Sequence, residues 1–144
     1  MDAYIQITTL LYRYAECVDS GDFDGAATLF GHAELRVGPE ATVDAAAIRR
    51  MWHTLVIVYP DGTPRTKHVV TNPIVEVDEA TGTATCRSYY TVLQQTDGFP
   101  LQAVVTGRYR DRFAREAGRW HFTYRDYTLI DQVGDLSHHL TRPL

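Results

Sequence analysis

His68-Val69-Val70-Thr71-Asn72-Pro73-Ile74-Val75-Glu76-Val77-Asp78 is followed by Glu79-Ala80-Thr81-Gly82 and then by Thr83-Ala84-Thr85-Cys86-Arg87-Ser88-Tyr89-Tyr90-Thr91-Val92-Leu93-Gln94-Gln95. Both runs are rich in β-branched and aromatic residues, which suit a half-buried pleated surface, and the segment between them carries the glycine that a tight connection needs. They predict a long β-hairpin. The pattern continues downstream. Thr96-Asp97-Gly98-Phe99-Pro100 leads into a strand over Leu101–Ala114, and Glu116-Ala117-Gly118 into a last strand over Trp120–Ile130. Consecutive long strands joined by short turns predict an antiparallel meander, and strands of this length twist strongly.

Upstream the period changes. Ile7, Leu11, Tyr14 and Val18 recur at three- and four-residue steps and predict one face of a helix over Ile5–Val18, with Asp19 at the edge of that face. Ser20-Gly21 ends it, Asp22 is a natural N-cap, and Phe23, Ala26, Ala27 and Phe30 mark a second, shorter helix. His32–Val37 alternates as a strand, and Thr42 or Asp44 caps a third helix over Ala45–Leu55 with Ile48, Met51, Trp52 and Leu55 on one side. Pro60-Asp61-Gly62-Thr63-Pro64 is a loop. Helices followed by a run of strands imply an α+β fold, three helices packed on a strongly curved sheet that makes a cone around a central cavity.

The chain of 144 residues predicts one domain over 1–144, and its formal charge of −4 with a pI near 5.8 argues against nucleic acid as a partner. Cys17 and Cys86 lack metal or redox spacing and read as reduced packing residues. The segment Met1–Gln6 has no basic n-region and no apolar run is long enough to span a bilayer, so the expected setting is cytoplasmic, away from membranes. HExxH, glycine-rich phosphate loops and GxSxG are absent, which leaves no support for a metal, a nucleotide, another cofactor or a nucleophilic serine.

Asp19 stands where a helix would prefer a cation, at the negative end of its macrodipole. A residue that breaks a local rule invites a role elsewhere. His68, at the start of the strand region, is its natural partner: a carboxylate holds one imidazole nitrogen and leaves the other to take a proton. Such a pair is a base without a nucleophile. His32, His53 and His121 are isolated, and His138-His139 near the C-terminus has no carboxylate at metal-ligand spacing.

The element order, together with Cys17-Val18-Asp19-Ser20-Gly21-Asp22-Phe23, Lys67-His68-Val69-Val70-Thr71-Asn72-Pro73, Gly107-Arg108-Tyr109, Gly118-Arg119-Trp120-His121-Phe122 and Gly134-Asp135-Leu136-Ser137-His138-His139-Leu140, resembles the SnoaL-like branch of the nuclear transport factor 2 superfamily over almost the whole chain. Scytalone dehydratase and hexachlorocyclohexane dehydrochlorinase in that superfamily carry an aspartate and a histidine at positions matching Asp19 and His68. The resemblance implies catalytic roles for those two residues. It also implies that the side-chain parity holding Arg87, Tyr89 and Thr91, and that holding Gly107 and Tyr109, face the interior. Departures are equally concrete: Val18 stands before Asp19 where scytalone dehydratase has a tyrosine, no histidine lies on the middle strand, and Tyr14 replaces the dehydrochlorinase lysine.

Tyr14, on the buried face of the first helix, is either core filler or a phenol donor. Trp52 is a core residue that also forms cavity wall. With Tyr89 and Tyr109 these are the expected ligand contacts. The function expected is a cofactor-free lyase, isomerase or cyclase acting on a small hydrophobic, cyclic molecule. The alternative is a non-catalytic binding or assembly module like the small subunit of ring-hydroxylating dioxygenases. Apolar and aromatic residues on both strand faces predict a homodimer, or a trimer, packed through the outer sheet face.

Overall fold

Asp2 caps the first helix, α1 (Ala3–Asp19), by accepting the Tyr4 N–H at 2.7 Å. The computed structural model describes residues 2–144; Met1, part of the N-terminal segment read above, lies outside them. The helix ends in a Schellman motif: the Asp22 N–H reaches the Cys17 carbonyl at 2.8 Å and the Gly21 N–H the Val18 carbonyl at 3.0 Å. Gly21 takes φ +80° there, and a Cβ on it would collide with the Gly62 carbonyl. Asp22 then serves the next element, α2 (Phe23–Thr28), by capping the Gly25 N–H at 2.8 Å. Asp22 thus closes one helix with its N–H and opens the next with its carboxylate, and this holds Asp19 in the last turn of α1.

A short strand β1 (Glu34–Gly38) pairs with β2 (Ala41–Val43), which the sequence did not announce, and Asp44 caps α3 (Ala45–Leu55). The long strands are β3 (Thr66–Asp78), β4 (Thr83–Thr96), β5 (Phe99–Glu116) and β6 (Arg119–Asp126), with β7 (Ile130–Val133) after them. The sheet has seven strands in the order β2-β1-β6-β5-β4-β3, β7 pairing with β5. Only β1 and β6 run parallel among these strands, so the curved sheet is mixed, and with β2 and β3 at its two ends not paired to each other it is unclosed. The expected α+β architecture is present.

One expected strand, Trp120–Ile130, is two. Asp126 accepts both the N–H and the hydroxyl of Thr128, at 2.8 and 2.6 Å, and this local turn withdraws Thr128 from the ladder. β6 and β7 consequently occupy the same side of β5 at different heights, β6 along Arg110–Glu116 and β7 along Val105–Gly107.

Ile7, Leu11, Tyr14 and Val18 of α1 are buried against Phe30, Leu35, Phe113 and Phe122. Each such side chain contributes roughly 1.5–3 kcal/mol by leaving water. At the other end of the sheet Val92, Phe99, Val104, Val105 and Leu136 form a second cluster. A hollow remains between the two, and Leu136, His139 and Leu140 near the end of the chain form part of its wall. Cys17 and Cys86 are both free. Among the described residues no helix is long and apolar enough to cross a membrane.

Candidate active site

β3 is an edge strand, so alternate N–H groups on its free side lack a sheet partner. Asp19 supplies one: its Oδ2 accepts the His68 backbone N–H at 2.7 Å. Its Oδ1 accepts the Thr66 hydroxyl at 2.9 Å and stands 2.6 Å from His68 Nδ1. Burial alone would raise the Asp19 pKa, but the bonds from His68 and Thr66 outweigh it and hold the carboxyl below its ordinary 3.8. An ionised carboxylate only accepts, so Nδ1 carries a proton, and in the neutral imidazole the lone pair is therefore the one on Nε2. The helix end, the strand edge and the imidazole tautomer are coupled through one side chain.

His68 lines a cavity of about 270 Å³ that Asp19 does not reach, and both residues also border an outer groove of about 540 Å³ beside Tyr12 and Lys67. The dyad side chains are 8% and 11% exposed, which keeps their bond out of bulk water. Tyr14, Trp52 and Tyr109 line the same cavity, and the Tyr14 ring lies 6.1 Å from Trp52, 6.1 Å from Tyr109 and 6.4 Å from His68. A groove of about 390 Å³ lies elsewhere, between Arg87, Arg110 and Arg112. All three arginines are exposed, and no dyad residue reaches that groove.

Tyr89 does not belong to the cavity. It is 56% exposed, on the outer face of the sheet, and this corrects the expected parity of β4. Directly opposed residues of paired strands share a face, and Tyr109 opposes Ser88 while Gly107 opposes Tyr90. Tyr109 inward therefore sends Ser88 and Tyr90 inward and Arg87 and Tyr89 outward. Tyr90 takes the place expected for Tyr89: it lines the cavity and stacks on Tyr109 at 4.5 Å. Gly107 makes this fit, since a Cβ there would come within 2.5 Å of the Tyr90 hydroxyl and 2.6 Å of the Leu129 carbonyl. In the sequence only the charge of Arg87 on the supposed inner parity counted against that reading, since the pairing of Gly107 with Tyr90 is set by the register.

Three further features escaped the sequence reading. Tyr127, from the turn after β6, lines the cavity and donates to the Tyr14 hydroxyl at 2.8 Å. Arg125 is fully buried beneath these rings, paired bidentately with Asp111 at 2.7 and 3.0 Å, its guanidinium carbon 3.7 Å from the Tyr109 centroid and 4.5 Å from that of Tyr14. Burial works against the Arg125 charge, yet Asp111 holds its pKa above the ordinary arginine range, so the guanidinium stays charged. Finally, His139 turns inward from the C-terminal segment, and its ring lies 6.4 Å from that of His68.

The phenols are protonated donors. Burial raises the pKa of Tyr14, Tyr109 and Tyr127, and pushes Tyr90 up to about 12. A cavity with an imidazole base on one wall and phenols on another can remove a proton and stabilise the charge left behind. Among the described residues no three His, Cys, Asp or Glu side chains converge to hold a metal ion.

No curated protein matches the sequence. Solved structures with the same fold include an NTF2-like protein with a cystatin-like fold from Novosphingobium aromaticivorans, 25% identical over 85% of this chain and 79% of that one, at a TM-score of 0.67. A protein from the same organism, provisionally named a scytalone dehydratase, is 20% identical over 85% and 80% of the two chains, at 0.66. The β subunit of an aromatic-ring-hydroxylating dioxygenase, also a provisional name and from that organism, is 16% identical over 91% and 90%, at 0.68. At these identities the structures establish the fold and no more. The sequence itself supplies the family: the model of the SnoaL-like domain matches residues 1–126, and the chain belongs to that family.

Proposed function

We propose that the protein is a cofactor-free lyase, isomerase or cyclase that acts by general acid-base catalysis on a small, largely apolar, cyclic molecule. The observation that carries this reading is the 2.6 Å contact between His68 Nδ1 and Asp19 Oδ1, made by a histidine that lines an aromatic cavity. His68 takes the substrate proton, Asp19 fixes the tautomer and stabilises the imidazolium, and the phenols of Tyr14, Tyr90 and Tyr109 are placed to donate to a developing oxyanion or a leaving group. General base catalysis supplies on the order of 10²–10⁴-fold, and the rest comes from positioning in a dry site, so the substrate carries an already activated C–H or O–H.

A small activated ketone tests the base directly. In D₂O the protein should accelerate exchange of the α-hydrogens of 2-tetralone, followed by proton NMR, and His68→Ala should return the rate to that of buffer. Exchange that persists in a folded His68→Ala protein would remove His68 as the base.

A non-catalytic assembly module is the second reading, favoured by the outer face of β3 and β4, where Val69, Ile74 and Tyr89 are 40%, 45% and 56% exposed. The same patch suits a homodimer or a trimer in either reading. Light scattering at micromolar concentration tests it, and a monomer would count against both assemblies.

A further inference from the structure

One side-chain polar atom of the cavity wall is fully buried without a hydrogen-bond partner. His139 is 7% exposed, it lines the cavity, and its Nδ1 is buried with no hydrogen-bond partner. A buried polar atom left unpaired costs roughly 1–3 kcal/mol, whereas a leucine at this point would bury its side chain at no such cost. Its neighbours on the cavity wall, Leu136 and Leu140, are leucines. The backbone that carries the ring is nevertheless held firmly in place. The His139 carbonyl accepts the Ile57 N–H at 2.8 Å, the His139 N–H donates to the Leu136 carbonyl at 3.0 Å, and the Thr141 N–H donates to the Leu55 carbonyl at 2.8 Å. Residue 139 also lies beyond the matched part of the SnoaL-like domain, residues 1–126. A segment fastened at its backbone thus presents an imidazole, without a partner of its own, to the space that His68 faces.

We infer that His139 is a second ligand-binding imidazole, which selects a cyclic ketone by donating a hydrogen bond to the carbonyl oxygen while His68 faces the adjacent C–H. The assignment rests on reading the cavity as a ligand site, as proposed above. Burial lowers the His139 pKa to about 4, so the ring is neutral near pH 7 and offers one N–H and one lone pair. A neutral imidazole suits this task, because it polarises a carbonyl without placing a second positive charge beside the imidazolium that forms on His68. When His68 takes the α-proton, the C–H electron pair becomes the new C=C bond and the carbonyl π pair moves onto oxygen. The His139 N–H donates to that enolate oxygen. Return of the proton from His68 to the same or another carbon closes the sequence with nothing oxidised or reduced.

The probes are 2-tetralone and tetralin, which share a ring system and differ in the carbonyl. The intact protein should bind 2-tetralone about tenfold more tightly than tetralin, the worth of one buried hydrogen bond. His139→Leu should make the two affinities equal, and His139→Gln should restore part of the preference. In the unmutated protein, nitrogen-15 NMR should show the His139 ring shifts moving with 2-tetralone and not with tetralin, a readout that needs no variant to fold. A preference that survives in His139→Leu, unmoved ring shifts, or an intact protein that binds neither probe would overturn the assignment. The deuterium-exchange assay separates this from the proposed function. Lost preference without any exchange in the intact protein leaves His139 as a binding group and removes His68 as a base, whereas exchange with an unaltered preference does the reverse.

Discussion

Two carboxylates in this molecule each hold a nitrogen base, and they do so for opposite ends. Asp111 grips Arg125 through two bonds, with both side chains at 0% exposure beneath the tyrosine rings. Asp19 grips His68 through one side-chain bond, spends its second oxygen on a backbone N–H, and leaves Nε2 for the cavity. The first pair is sealed and symmetrical; the second is open on one side. Burial and charge pairing are therefore poor guides to chemistry by themselves, and an unspent atom facing space is the better one.

The largest expected effect falls on the sealed pair. Asp111→Ala strands the Arg125 charge among rings and should cost about 3–5 kcal/mol in urea unfolding. His68→Ala should cost only about 1 kcal/mol, because Asp19 keeps its bonds to Thr66 and to the strand backbone. Equal losses would break the distinction between the two pairs.

On the open pair the effect should appear in rate. Asp19→Asn keeps a hydrogen-bonding group beside the ring yet cannot stabilise an imidazolium. Exchange of 2-tetralone should slow by about 10²-fold or more with its affinity nearly unchanged. A drop in affinity with an unchanged rate would make Asp19 a structural residue like Asp111.

Dependence on pH sharpens the contrast further. Burial, helped by the nearby His68, lowers the His139 pKa from 6.5 to about 4. Between those values the unfolded chain binds a proton that the folded chain refuses, so stability falls as pH drops through this window, by on the order of 3 kcal/mol in all. Asp19, lowered below 3.8, contributes stability that is present above that value and is lost only at more acidic pH. Urea melts from pH 7 to 4 should show the His139 loss, and His139→Leu should flatten it. An unchanged slope in that variant would place the acid-sensitive group elsewhere.

Smallest is the difference between neighbouring tyrosines. Tyr90→Ala removes a ring stacked in the cavity and should cost about 1–3 kcal/mol, whereas Tyr89→Ser, on the outer face, should stay within about 0.5 kcal/mol and leave ligand affinity alone. Calorimetric melts and tetralin binding check both, and equal effects would reopen the strand parity.

What was readable from sequence alone is what local physics controls. Asp22 capping α2, the glycine that ends α1, the turns between the long strands and the three- and four-residue spacing on α1 each act within a few residues, so the element order and the α+β class followed from them. Asp19 was legible because it contradicts its own helix, and His68 became legible beside it. Strand parity was not, because the face a side chain takes depends on which residue of the next strand opposes it, and one step separates Tyr89 from Tyr90. The irregularity in the β3–β4 register between Thr71 and Ile74 adds to that uncertainty over which residues meet. The break between β6 and β7 turned on one aspartate accepting twice from Thr128. His139 was the least legible of all. Its burial comes from a backbone docked on residues more than 80 positions away, Leu55 and Ile57, and no local pattern in Ser137-His138-His139-Leu140 says which of two adjacent imidazoles will turn inward.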